Sequence, residues 1–111
     1  TALAGGEPSE VIRKRVAECR QIQLERFKKL PRVTCNADMP PRVVQKFCIL
    51  SKDAAELLKM AMSELNFSAR AYDRIVKVAR TIADMAGSEH IGPEHISEAI
   101  QYRSLDRMMW I

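Results

Sequence analysis

Apolar residues recur along almost the whole chain at the three- and four-residue spacing of a helix, and strands have almost no support. Ser9 stands where an N-cap is needed. Ile12, Val16, Cys19, Ile22 or Gln23, and Phe27 then share one face of a first helix running to about Lys29, where Leu30-Pro31 stops it. Residues 31–40 read as a loop with some extended character at Arg32-Val33-Thr34-Cys35. Pro40-Pro41 opens a short second helix with Val44, Phe47 and Cys48 inward. Ser51 caps a third that buries Ala54, Ala55, Leu58, Ala61, Met62 and Leu65.

The fourth helix is the best delimited. Ser68 is its N-cap, apolar residues follow at Tyr72, Ile75, Ala79, Ile82, Ala83 and Ala86, and Gly87 falls where a left-handed residue ends a helix. Tyr72 is expected in the core. The spacings Asp73–Lys77 and Arg80–Asp84 suit ion pairs along an exposed stripe. Gly92-Pro93 begins a fifth helix with proline in its first position, and Ile91 can staple to Ile96. That helix is expected to end near Tyr102 or Arg103. The fold class is therefore all-α, a small bundle of about five helices, with the folded domain at 9–107. Residues 1–8 read as a disordered leader and 108–111 as an apolar tail, with Leu105, Met108, Met109 and Trp110 folding back or marking a surface covered by something else.

The composition agrees with one helical domain. In 111 residues, 47% are hydrophobic but only 5% aromatic, which predicts an aliphatic, Met-rich core. No apolar run approaches the ~20 residues of a membrane span, and a cytoplasmic location is expected. Cys19, Cys35 and Cys48 are odd in number and lack a C-x-x-C pair, which argues against zinc or a disulfide framework. His90 and His95 lack partners at metal-ligand spacing, so a capping or surface role is expected for them.

The net charge of +4 is uneven: residues 1–50 hold ten Lys/Arg against five Asp/Glu, and residues 51–111 hold eight against nine. An anionic partner such as DNA would therefore meet Arg26, Lys28, Lys29 and Arg32 at the end of the first helix. Such binding is expected to be weak, and these cations also simply complement a helix C-terminus.

Arg70 breaks a local rule, because a cation in the first turn of a helix opposes the macrodipole at about 0.3–1 kcal/mol. A planar guanidinium beside free helix N–H groups is suited to a phosphate. Yet the chain contains no G-x-x-x-x-G-K-[ST] loop and no acidic strand end for magnesium, so it is not expected to hydrolyse ATP alone.

Four ordered blocks carry a resemblance covering about residues 9–107. They are Ile12-Arg13-Lys14-Arg15-Val16 with Gln23-Leu24-Glu25-Arg26-Phe27; Cys35-Asn36-Ala37-Asp38-Met39; Ser68-Ala69-Arg70-Ala71-Tyr72-Asp73-Arg74 with Val78-Ala79-Arg80-Thr81-Ile82-Ala83-Asp84; and Glu98-Ala99-Ile100-Gln101-Tyr102-Arg103-Ser104-Leu105-Asp106-Arg107. Together they resemble the C-terminal lid domain of the magnesium-chelatase-like AAA+ ATPases of the ComM/YifB family. The resemblance implies that Arg70 is the sensor-2 arginine, reaching the phosphates of ATP with Arg74 assisting. It also implies that Mg2+ is supplied by an N-terminal AAA+ core of the same chain, and that the full-length protein is a homo-hexameric motor acting on DNA. Nothing suggests metal insertion into a porphyrin. The alternative is an autonomous helical module binding nucleic acid or protein through the basic end of the first helix and the Met/Trp tail.

Overall fold

A computed structural model describes residues 9–109, with side chains described for 9–102. The expected leader and the last two residues of the tail lie outside the described residues. Five α-helices follow one another: α1 Ser9–Phe27, α2 Pro41–Phe47, α3 Lys52–Glu64, α4 Ala69–Met85 and α5 Pro93–Met109. A single 3₁₀ turn, Asn36–Asp38, interrupts the α1–α2 connection. Among the described residues there is no strand, only a parallel bridge between Leu50 and Ile91, and no helix is long and apolar enough to cross a membrane. The all-α expectation holds.

The helix ends follow the local chemistry. The hydroxyl of Ser51 accepts from Ala54 N at 3.1 Å and that of Ser68 from Ala71 N at 3.2 Å, so both serines cap as expected. Ser9, expected as the cap of α1, is instead its first helical residue. After α4, Gly87 takes φ +72°, Ser88 N donates to Ala83 O at 2.8 Å and Gly87 N to Asp84 O at 3.1 Å. This pair of bonds is the Schellman closure that a left-handed residue permits. The α3–α4 turn uses Asn66 in the same way, at φ 53°. At the start of α5 the Nδ1 of His95 accepts from Gly92 N at 2.9 Å, a histidine in the capping-box position usually held by glutamate or glutamine. Ile91 and Ile96, the expected staple, are both fully buried.

Helix α4 is the centre of the bundle. It packs against α5, α1, the 3₁₀ turn and α2, while α3 lies on α5. The core gathers Ile75, Val76, Ala79 and Ala83 of α4 with Phe27, Met39, Val43, Val44, Ala54, Leu58, Ile91, Ile96 and Ala99. Phe27 meets Phe47 edge to face at 5.7 Å.

Several expected faces are corrected. On α1 only Cys19 and Phe27 are buried, whereas Ile12, Val16 and Ile22 are exposed. On α3, Ala54 and Leu58 are buried, Ala61 and Met62 partly so, and Ala55 and Leu65 face outward. Tyr72 is exposed rather than in the core, and Val76 takes the inner position. Helix α5 continues past Tyr102 and Arg103 to Met109, so Leu105, Met108 and Met109 extend the helix backbone rather than forming a separate tail.

Candidate functional site

The first turn of α4 exposes Arg70. Ser68 occupies the N–H of Ala71, and the helix start leaves the amides of Ala69 and Arg70 without intrahelical acceptors. Arg70 and Arg74 follow one another at i, i+4 and both side chains are exposed. Neither makes a hydrogen bond or ion pair with any described residue. They line a groove of about 680 Å³ between α4, the 3₁₀ turn and α5, with Ala37, Asp73, Lys77, Val78, Ala99 and Tyr102. Three cations and one carboxylate therefore face this groove. Lys77 is engaged: its Nζ lies 3.0 Å from Asp73 and donates to Ala37 O at 3.4 Å. At the α5 wall the hydroxyl of Tyr102 donates to Glu98 Oε1 at 3.2 Å, which raises the phenol pKa.

A second cluster lies deeper, under the other end of α4. Arg26 forks onto Asp84, Nη1 to Oδ2 at 2.8 Å and Nη2 to Oδ1 at 2.6 Å, and Nη1 also donates to Asn36 Oδ1 at 2.9 Å. Arg80, only 2% exposed, donates through Nε to Asp84 at 3.1 Å and caps the carbonyls of Phe47, Ser88 and Glu89 at 3.2, 2.7 and 2.8 Å. Asn36 closes the set: its amide donates to Thr81 Oγ1 and Asp84 Oδ2, and its backbone N–H to Gln23 Oε1. Two arginines against one buried carboxylate is tolerable because Arg80 also has three backbone carbonyl acceptors and Arg26 the side-chain oxygen of Asn36.

This cluster corrects two expectations. The Arg80–Asp84 pair is not on an exposed stripe: it continues the inner face after Val76, and it is the most buried ion pair among those described. Arg26 is separated from the expected basic patch, its side chain 11% exposed and committed to Asp84, which leaves Lys28, Lys29 and Arg32 at the surface. Lys28 pairs with Glu25 at 3.3 Å, and none of the three lines the Arg70 groove. The Asp73–Lys77 pair does form as expected. The signal for the buried cluster was present but unread: Val76, Arg80 and Asp84 fall one position beyond Ile75, Ala79 and Ala83, so they share the same wide inner face.

Other titratable groups mark the scaffold. Burial pushes the Cys48 thiol up to about 11. The Thr34 hydroxyl and amide, both donating to Asp38 at 2.6 and 3.2 Å, hold that carboxyl below its ordinary range and fasten the 3₁₀ turn. Among the described residues no three His, Cys, Asp or Glu side chains converge as a metal site.

Residues 6–103 match the family model described as magnesium chelatase, subunit ChlI C-terminal. The protein YifB of Salmonella typhimurium is 40% identical over 104 residues, which is 94% of this chain and 20% of that protein. The competence protein ComM of Haemophilus influenzae is 38% identical over 94% of this chain and 19% of its own length. YifB of Escherichia coli is likewise 38% identical over 94% of this chain. The chain thus spans about one fifth of the length of these relatives.

Proposed function

The chain belongs to the family of magnesium chelatase ChlI C-terminal domains, and from that membership we propose that it is the lid of an AAA+ ATPase, with Arg70 as its sensor-2 residue. In this reading a core elsewhere in a longer protein binds ATP and Mg2+. The lid closes so that Arg70, with Arg74 one turn behind it, faces the terminal phosphates. Arginine suits the task because its charge is permanent and its planar fork matches two phosphate oxygens.

The observation that carries the reading is that Arg70 is exposed and unpaired among the described residues, on the groove wall at the start of the central helix. Its charge opposes the helix dipole there, so it contributes nothing evident to folding. The buried arginines, by contrast, are fully explained by the fold. One relative bears the name competence protein; the AAA+ reading adds a parent motor that acts on DNA and assembles as a hexamer.

Mutation of Arg70 in the full-length protein tests the proposal. Arg70→Ala should lower ATP turnover by about 10²–10³-fold, the typical effect of losing one charge-stabilising donor. Arg70→Lys should restore only part of it. The same Arg70→Ala change in the isolated domain should leave the thermal midpoint within the error of measurement, or raise it slightly. Unaltered turnover in Arg70→Ala, or loss of folding, refutes the assignment.

A further inference from the structure

We propose that Lys77 is a positioning residue whose task is to keep Asp73 away from Arg70, so that Arg70 remains free for an anionic ligand; the proposal rests on the reading of Arg70 as a phosphate ligand. Asp73 is the one acidic side chain lining the groove among the described residues. It stands three residues after Arg70 and four before Lys77, and both spacings bring side chains together on a helix. The same carboxylate can therefore neutralise either cation. It takes Lys77, at 3.0 Å, and Arg70 is left without a partner.

The choice is set by a third element. The Lys77 ammonium also donates to the carbonyl of Ala37 at 3.4 Å, and its side chain is only 19% exposed. Ala37 is held in place because its neighbour Asn36 is tied to Arg26, Thr81, Asp84 and Gln23, while Asp38 is tied to Thr34. A fixed carbonyl therefore anchors the ammonium, the ammonium holds the carboxylate, and the arginine one turn back stays open. This gives a role to the Cys35–Met39 block: Asn36 ties the turn to the buried cluster, and Ala37 presents the carbonyl to Lys77.

Nucleotide affinity in the full-length protein is the readout, with ATP and Mg2+ as the probe. Lys77→Met keeps the apolar stem but frees Asp73, which should then pair with Arg70 and raise the Kd by about two- to fivefold, the range for an exposed ion pair. Lys77→Met/Asp73→Asn should return the Kd to that of the parent. With Arg70 already replaced by alanine, Lys77→Met should have no further effect, because there is nothing left for Asp73 to capture. A Lys77→Met effect that persists undiminished without Arg70 would reduce Lys77 to a distant charge and overturn the proposal. So would a double variant that stays as weak as Lys77→Met, or an unchanged Kd in Lys77→Met while Arg70→Ala abolishes turnover. If Arg70→Ala itself leaves turnover intact, the phosphate reading falls first, so the two failures are distinguishable.

Discussion

Replacing Asp84 with alanine removes the carboxylate on which Arg26, Arg80 and Asn36 converge through four hydrogen bonds of 2.6–3.1 Å. Arg80 would keep its three backbone carbonyls, but Arg26 would keep only Asn36. Two guanidinium charges would then share the interior with no counter-charge. Breaking a buried ion pair from one side costs about 3–5 kcal/mol. The lower end applies here, because Arg80 keeps three carbonyl acceptors and the Arg26 side chain is 11% exposed. A loss of about 3 kcal/mol is a large part of the ~5–15 kcal/mol that stabilises a domain. In urea unfolding, with a slope of about 1–3 kcal/mol/M, the midpoint should fall by roughly 1–3 M. The companion measurement is a double-mutant cycle with Arg26→Ala. Once Arg26 is gone, removing Asp84 should cost clearly less, with a coupling of about 1–3 kcal/mol. A loss below about 1 kcal/mol, or strictly additive single costs, would mean that water satisfies these charges and that the cluster does not hold α1 to α4.

Other outcomes follow from the same geometry. Ile75→Ala, at a fully buried position, should cost about 2–5 kcal/mol, and Ile82→Ala, which is only partly buried, clearly less; equal losses by thermal or urea unfolding would contradict the burial pattern. Gly87→Ala should destabilise by about 1–2 kcal/mol from its positive φ alone, since nothing lies within 4 Å of the added methyl; a neutral change would show that the Schellman closure is dispensable. Cys48 ionises from 9.0 in its free state to about 11 in the fold, so the folded form binds that proton more tightly. Stability should therefore decline as pH rises from 9 towards 11, and Cys48→Val should flatten the decline. Thiol alkylation near pH 8 should modify the partly exposed Cys35 before the buried Cys48.

The helices, the caps of α3 and α4 and most of the core were legible in the linear chain because they depend on neighbours within four residues. Ser51 and Ser68 need only an N–H three positions on, Gly87 only its freedom of φ, and Ile75, Ala79 and Ala83 only the helical repeat. The prominence of Arg70 was legible for the same reason: its conflict with the helix dipole is local. Tertiary structure decided what lies opposite each face. Periodicity shows that Ile12 and Val16 can be buried, not that anything covers them. Asp84 and its partners Arg26 and Asn36 are 58 and 48 residues apart, so no spacing rule links them, and a charge count places Arg26 at the surface when its partner is inside. Whether an arginine is solvated, structural or free for a ligand depends on the oxygen atoms that folding brings to it. The sequence placed Arg26, Arg70 and Arg80 on their helices, but only the packing of α1, the 3₁₀ turn and α4 enclosed two of them and left Arg70 open.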